Sequence, residues 1–266
     1  MPVRAAGFRV KRVGECGCME KTEEHRVLRA IDFHTHLLPA MDDGSISPVE
    51  SRAMLDSMRA QGIVKVVLTP HFYPDRESPD EFLVRRERSA SELIGVLLPT
   101  DPSMYLGAEV AYYEGIGASS ELGKLCIDGT SCILIELPFE KTFCLTVYRD
   151  LEMIVNRGFR TVIAHMERYP ACRSKAVRQR LRDIGVLMQS NAEGFIAKAT
   201  AGRLHKLWRR GEIHLLGSDC HHEACRAPNL GTAIDVLCRA GQTEQLVRSF
   251  EKASRLLDDA IALGGI

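Results

Sequence analysis

The chain has 266 residues, a hydrophobic content of 45% that can fill a sizeable core, and equal numbers (35 each) of basic and acidic side chains. The balanced charge argues against binding to nucleic acid or to an anionic membrane surface. Since no apolar run approaches the length of a bilayer span, we also expect no membrane-embedded segment.

The first 29 residues contain more basic than acidic side chains and lack the apolar stretch of a secretory signal. We expect residues 1–29 to form a flexible extension and residues 30–266 to form a single domain. Cys16 and Cys18 lie in the extension, but two thiols one residue apart do not make a metal site by themselves. The nine cysteines are irregularly spaced, which predicts reduced thiols and a cytoplasmic protein.

Short β-rich runs alternate along the chain with amphipathic helical stretches. Strands are predicted near residues 29–36, 63–70, 104–110, 131–137, 160–166, 185–190 and 213–219. Helices are predicted near residues 48–61, 80–97, 143–157, 174–183, 200–210, 229–239 and 243–262. This α/β order predicts a parallel sheet or barrel, and seven strands indicate a distorted relative of the eight-stranded TIM barrel.

The first predicted helix has clear end signals. Ser47 can cap its amino end, and Pro48 suits the first helical position. Glu50 stands where a capping box requires an acidic residue. Gly62 is placed to end the helix, directly before the next strand.

Polar side chains that can bind metal occur where the predicted strands end. His34 and His36 close the first strand, and Asp219 and His221 close the seventh, each as a pair two residues apart. Because side chains alternate along a strand, both members of a pair face the same side. The carboxyl ends of parallel strands meet at one mouth. We therefore expect eight side chains to converge there: His34, His36, Asp43, His71, Glu109, His165, Asp219 and His221.

This mixture of nitrogen and oxygen ligands suits Zn, Mn or Fe better than Ca or Mg. Eight ligands are too many for one tetrahedral ion, so we expect two or three ions, with Glu109 as a candidate bridge. A lone histidine is more often a structural residue, and four others lack the strand-end placement: His25, His205, His214 and His222.

Three acidic residues near the predicted site have open roles. Asp32 precedes it and is a candidate for orienting the ring of His34 or His36. Asp42 competes with its neighbour Asp43 for the ligand position. Glu136 ends the fourth strand, where it could bind metal or support a ligand.

Several motifs occur in an order that resembles the polymerase and histidinol phosphatase (PHP) superfamily. They are Ile31–Pro39, Asp42-Asp43-Gly44, Glu50-Ser51, Thr69-Pro70-His71, Gly107-Ala108-Glu109, Ile135–Phe139, Ala164–Tyr169 and Ser218–His221. Within that superfamily the chain is most similar to the bacterial manganese-dependent protein tyrosine phosphatases of capsule and exopolysaccharide synthesis. The resemblance extends over residues 30–262. It implies a distorted (β/α)7 TIM-like barrel, the PHP fold.

The resemblance also implies a division of the ligands among three Mn ions, with Fe or Zn as alternative metals. One ion would take His34, His36, Glu109 and Asp219, a second Glu109 and His165, and a third Asp43, His71 and His221. Arg168 and Arg226 match the phosphate-binding arginines of the family. With Asp43 and His221, they are the expected catalytic residues.

The chain departs from the family pattern without losing a ligand. Ala40-Met41 replaces a usual glycine, Met166 replaces a proline, and Cys220 and His222 flank the last ligand. The loop Phe72–Pro79 also differs. These departures bear on the choice of substrate more than on catalysis.

The resemblance implies hydrolysis of phosphotyrosine by a metal-activated hydroxide, on a protein partner that would be a bacterial tyrosine kinase controlling capsule or exopolysaccharide synthesis. A small-molecule phosphomonoesterase of the histidinol phosphatase type is the main alternative. A phosphodiesterase and a non-catalytic phosphotyrosine-binding regulator are weaker ones. Cys220 and Arg226 have the C-x5-R spacing of cysteine-dependent phosphatases, but the intervening residues lack glycine and include the anionic Glu223.

Overall fold

A computed structural model of the chain describes residues 28–263. Most of the predicted extension, with Cys16, Cys18 and His25, lies outside the described residues. The strands are β1 (Ala30–Thr35), β2 (Ile63–Leu68), β3 (His71–Phe72), β4 (Ser103–Leu106), β5 (Glu109–Ala111), β6 (Cys132–Glu136), β7 (Arg160–Ile163), β8 (Leu187–Asn191), β9 (Leu215–Gly217) and β10 (Ala262–Leu263).

The helices follow the strands in the order that the sequence predicts. They are α1 (Pro48–Ala60), α2 (Pro79–Ile94), α3 (Leu145–Asn156), α4 (Lys175–Ile184), α5 (Glu193–Ile196), α6 (Lys198–Arg209), α7 (Leu230–Arg239) and α8 (Thr243–Leu256). Short 3-10 turns cover Ile116–Ala118, Leu122–Leu125, Met166–Arg168 and Pro170–Arg173. None of the described helices has the length and apolarity needed to cross a bilayer.

The strands form a curled, almost entirely parallel arrangement in two sheets. Their orders are β1-β2-β4-β10 and β3-β5-β6-β7-β8-β9, and β10 is antiparallel to β4. Two backbone hydrogen bonds link the end of β9 to the end of β1: Asp219 N donates to the His34 carbonyl (2.8 Å), and His36 N donates to the Cys220 carbonyl (3.0 Å). The carboxyl ends of the first and last parallel strands are therefore neighbours, as predicted.

Two predicted strands are each broken into a pair of short strands. Pro70 has no N–H to donate to a sheet, and the strand predicted over residues 63–70 divides there into β2 and β3. The strand predicted over residues 104–110 divides at Gly107-Ala108 into β4 and β5. The halves pair in different sheets, β2 with β4 and β3 with β5. His71 and Glu109 therefore begin strands rather than end them, which corrects the predicted strand boundaries.

Local end signals account for both boundaries of α1. Ser47 Oγ accepts a hydrogen bond from Glu50 N at 3.3 Å, but the Glu50 carboxylate accepts from Ile46 N rather than from Ser47 N, so the predicted capping box is only half formed. Gly62 follows α1 with a φ of 76°, as expected of a residue that ends a helix. The prediction of helix to residue 262 is wrong, because α8 ends at Leu256 and Ala262–Leu263 pairs with β4.

β9 approaches β1 too closely to accommodate a side chain at Gly217. A Cβ atom at this position would lie 2.6 Å from His34 Cβ and 2.9 Å from His34 N. Gly202, in α6, is a useful contrast because a Cβ there would meet nothing within 4 Å. The contact at Gly217 fixes the distance between the strands that carry His34 and Asp219.

We predict that Gly217→Ala lowers the free energy of unfolding by about 1–3 kcal/mol, the usual cost of overpacking a closed core. Urea denaturation would measure it. The matched variant Gly202→Ala should be neutral or more stable by up to about 1 kcal/mol, because alanine favours a helix. Equal urea midpoints for Gly217→Ala and the parent chain would show that β9 can move away from β1.

Candidate metal centre

Four of the predicted ligands converge on one point at the ends of β1 and β9. His34 Nε2 and His36 Nε2 lie 3.1 Å apart. Glu109 Oε2 is 3.1 Å from the first nitrogen and 3.3 Å from the second. Asp219 Oδ1 lies 3.6 Å and 3.3 Å from the same two atoms. Two imidazole nitrogens and two carboxylate oxygens thus surround a common centre.

The contacts of the Nδ1 atoms of His34 and His36 explain why the two Nε2 atoms face each other. His36 Nδ1 lies 2.7 Å from Asp42 Oδ2, and His34 Nδ1 lies 3.3 Å from Gln189 Oε1. A ring that donates from Nδ1 to such an acceptor presents a lone pair at Nε2, as metal-binding histidines do. Two lone pairs beside two carboxylates repel one another unless a positive charge lies between them.

The pKa shifts of His36 and Glu109 also indicate that added positive charge is favourable at this centre. Burial alone lowers the pKa of His36, but Asp42, followed by Asp219 and Glu109, raises it well above the ordinary value. Burial likewise raises the pKa of Glu109, yet contacts with His34, His165 and His36 hold it well below its ordinary value. A divalent cation supplies more positive charge at this point than a proton can.

A second group of ligands lies towards the mouth. Asp43 Oδ1 is 3.4 Å from His71 Nε2 and 3.5 Å from His221 Nε2, and with His36 these residues form one compact set of potential ligand atoms. Asp43 is 69% exposed. Asp42 instead points inward, where it accepts hydrogen bonds from the His36 ring and the backbone N of His71 and Gly44. The geometry therefore places Asp43 among the potential ligands and gives Asp42 the task of positioning them.

Glu109 connects the two groups of potential ligands described above to a third group around His165. Its Oε2 lies 3.0 Å from His71 Nδ1, and its Oε1 lies 2.7 Å from His165 Nε2. Glu136 Oε1 is 3.4 Å from the same His165 nitrogen, and Glu136 also groups with His71 and Glu109. Glu136, whose role the sequence left open, therefore belongs to the cluster.

Unpartnered polar atoms at the centre show that the donor set fits a metal. Glu109 Oε2, His71 Nδ1 and His221 Nε2 are buried and have no hydrogen bond partner among residues 28–263. A buried polar atom without a partner costs about 1–3 kcal/mol. These are also atoms that face neighbouring ligands, so coordination to a cation would satisfy all three.

The backbone is unusual where it presents the ligands. His165 and Asp219 have φ values of 26° and 53°, in a region that residues other than glycine rarely adopt. His165 N donates to Gln189 Oε1 at 2.6 Å, and Asp219 N donates to the His34 carbonyl. Such conformations persist when surrounding contacts hold them, and they concentrate at functional sites.

Two amide side chains on β8 support the cluster, and the sequence analysis missed both. Gln189 Nε2 donates to Asn191 Oδ1 at 3.0 Å, and Asn191 Nδ2 donates to Asp219 Oδ2 at 2.7 Å. Since Gln189 also contacts His34 and the backbone of His165, this chain of amides joins three predicted ligands. Their one sequence signal was the spacing of two residues, which puts both amides on the same face of a strand.

The expected role of Asp32 is wrong. Its carboxylate accepts hydrogen bonds from the backbone N of Ser218 (2.8 Å) and His34 (3.4 Å), not from a histidine ring. Burial raises the pKa of Asp32 to about 6. Because Asp32 lies before the strand end, its carboxylate contacts Ser218 and the backbone of His34, where β1 and β9 meet, rather than a histidine ring.

Arg168 and Arg226 lie at the mouth of the cluster, where both contact Asp219. Arg226 Nη2 is 2.6 Å from Asp219 Oδ2, and Arg168 Nη1 is 3.5 Å from the same oxygen. Both side chains are nearly half exposed. The Arg168 guanidinium also lies over the Phe139 ring, 5.1 Å from its centroid. Two planar cations thus border the cluster on its solvent side.

The remaining candidate nucleophile and histidines do not extend the site. Cys220 is fully buried, and burial raises the pKa of its thiol, so the C-x5-R spacing does not form a reactive cysteine loop. His222 contacts Glu50 beside the mouth. His205 contacts Gln242, and His214 accepts a hydrogen bond from Met188 N, both away from the cluster.

A family model and several known proteins are similar to this chain in sequence. The family described as "Capsular polysaccharide synthesis, CpsB/CapC" matches residues 30–257. The tyrosine-protein phosphatase CpsB of Streptococcus pneumoniae is 28% identical over 222 residues, which cover 79% of this chain and 90% of that protein. The tyrosine-protein phosphatase YwqE of Bacillus subtilis (strain 168) is 29% identical over 238 residues, which cover 85% of this chain and 91% of that protein.

A solved structure extends this similarity to three dimensions. It comes from a study of YwqE from Bacillus subtilis and CpsB from Streptococcus pneumoniae, described as unique metal-dependent tyrosine phosphatases. It matches this fold with a TM-score of 0.75 and 25% identity, over 87% of this chain and 95% of the solved one.

We predict that Asp42→Asn weakens metal binding about 10- to 100-fold, because Asp42 fixes the ring of His36 and the backbone of His71. Competition with a fluorescent chelator would measure the affinity. Asp150→Asn is the matched control, since Asp150 is a buried aspartate that contacts Tyr112 and Gly115 instead. Unchanged affinity in Asp42→Asn would mean that Asp42 does not position the ligands.

Proposed function

Because this chain belongs to the CpsB/CapC family of capsular polysaccharide synthesis, we propose that it is a metal-dependent protein tyrosine phosphatase. The observation that carries the proposal is the buried cluster of imidazoles and carboxylates with two arginines at its open side. The cluster fits metal ions, and the arginines fit a phosphate group. The relatives named tyrosine-protein phosphatase cover most of the chain, which supports phosphotyrosine as the substrate.

The proposed ligand sets follow the three groups of side chains. One ion would be held by His34, His36, Glu109 and Asp219, a second by Glu109 and His165 with the addition of Glu136, and a third by Asp43, His71 and His221. We propose Mn, with Fe or Zn as the alternatives that the same ligand types accept. When bound, the metal would supply Lewis acidity that lowers the pKa of water and offsets the charge of the phosphate.

The protein's own cations would position the phosphate. Arg168 and Arg226 share the carboxylate of Asp219 and keep about half of their surface exposed, so they can reach a substrate without leaving the site. A planar guanidinium matches two phosphoryl oxygens at once. The two arginines would therefore hold the non-bridging oxygens while Asp219 keeps both guanidinium groups beside the cluster.

The leaving group explains why the site needs few other residues. The phenol of tyrosine has a pKa of about 10, far below that of an alkyl alcohol, so phenolate departs without a dedicated proton donor. The nearest thiol, that of Cys220, is buried and cannot serve as a nucleophile. Asp43, at the exposed edge of the cluster, and the buried His221 beside it would act together where the phosphate enters.

The wider proposal follows from the family. We propose a cytoplasmic phosphatase whose partner is a bacterial tyrosine kinase that controls capsule or exopolysaccharide synthesis. We also propose that the curled parallel sheet is a distorted (β/α)7 barrel of the PHP type. The hydrogen bonds between the ends of β9 and β1 support closure of the barrel.

We predict that His221→Ala lowers kcat/KM for a phosphotyrosine peptide by at least about 100-fold, because metals supply several kcal/mol of transition-state stabilisation. Cys220→Ser should retain most of the activity. Steady-state kinetics on both variants, with circular dichroism to verify folding, would test this. An inactive Cys220→Ser beside an active His221→Ala would overturn the metal mechanism.

We further predict that chelation abolishes activity and that Mn restores it. Elemental analysis before and after chelation would give the metal content per chain. The restored enzyme should have a higher kcat/KM for phosphotyrosine peptides than for histidinol phosphate. A preference for histidinol phosphate would favour the small-molecule phosphomonoesterase, and full activity without metal would refute the proposal.

A further inference from the structure

A polar cavity lies at the end of the fold opposite the metal centre. It has a volume of about 310 Å3 and lies between the carboxyl end of α6, the amino end of β9 and one face of α8. Asp219 follows the other end of β9. We propose that this cavity is a binding site for a small phosphate-bearing anion.

The charge of the cavity is the first argument. Its lining includes Arg209, Arg210, Arg248 and Lys252, and no carboxylate belongs to the described lining. Arg248 pairs with Glu244 on the surface of α8. The other three cations form no ion pair with any residue between 28 and 263. A cavity bordered by unpaired cations attracts anions.

Neutral hydrogen bond donors supply the second, independent argument. Trp208 and Ser249 line the cavity and are 1% and 4% exposed. Neither Trp208 Nε1 nor Ser249 Oγ has a hydrogen bond partner in the described part of the chain. A buried indole N–H or hydroxyl without a partner is costly, and an oxygen of a bound ligand would satisfy each of them.

His214 is a further hydrogen bond donor in the lining, and one hydrogen bond defines the tautomer of its ring. Met188 N donates to His214 Nδ1 at 2.9 Å, so in the neutral ring the proton sits on Nε2. Burial, and after it the charges of Lys252 and Arg182, lowers the pKa of His214 to about 4. The ring is therefore neutral near pH 7 and offers one N–H to the cavity that it lines.

The chemistry of the lining defines the ligand. Indole and imidazole N–H groups, a hydroxyl and three unpaired cations together favour oxygen-rich anions, and phosphate groups accept such bonds strongly. The volume lies at the small end of the range for ligand pockets, about 300–1,000 Å3. This size fits inorganic phosphate, pyrophosphate or the phosphates of a small molecule, whose remaining part would extend into solvent.

The protein provides its own reporter, because Trp208 is the single tryptophan of the chain. We expect inorganic phosphate, pyrophosphate or ADP to change the tryptophan fluorescence saturably, whereas chloride at equal ionic strength should not. The order of the affinities would distinguish a free phosphate from a nucleotide. Failure of all three anions to change the emission of Trp208 would overturn the proposal.

Substitutions can distinguish anion binding in this cavity from anion binding at the metal centre. Arg210→Gln with Lys252→Gln should weaken the anion affinity measured by fluorescence at least about tenfold, since hydrogen bonds between charged groups are among the strongest in proteins. Arg239→Gln, on the exposed surface of α7, is the matched control and should bind normally. His221→Ala should also respond normally, so a failure of the proposed catalysis would leave this result intact. Equal affinities for the double variant and the parent chain would refute the assignment.

Discussion

The buried carboxylate of Glu109 imposes the constraint on which the functional end of the molecule depends. It lies within 3.3 Å of nitrogens from His34, His36, His71 and His165, and Asp219 faces two of the same rings. Several potential ligands thus share a space where an uncompensated charge is costly. The cluster is stable only with added positive charge, and the mixture of ligand atoms makes a transition metal the natural source.

The fold meets this constraint by bending strands rather than by using long loops. The breaks at Pro70 and at Gly107-Ala108 turn two strands from one sheet to the other, and His71 and Glu109 begin the turned halves. The two residues are paired in the register of β3 and β5, so the backbone itself sets their separation. If the two strands continued without a break, His71 and Glu109 would lie beyond the mouth of the sheet instead of facing each other.

The sequence was sufficient to predict the alternation of strands with helices and the convergence of the eight side chains, because both depend on local spacing. The succession of motifs along the chain was sufficient to predict the family. It could not predict the strand breaks, since a proline or a glycine near a strand end signals termination equally well. It missed Gln189 and Asn191, whose contacts depend on which strand lies beside β8. It misjudged Asp32, because strand alternation gives the side of the sheet but not the depth that a side chain reaches.

The hydrogen bonds between β9 and β1 also have a consequence for the order of folding. They join residues about 185 positions apart in the chain, a contact of very long range that forms slowly because a large loop must close first. Asp219 reaches His34 only after this closure. The metal centre is therefore expected to assemble late, so that capture of the metal distinguishes finished molecules from folding intermediates.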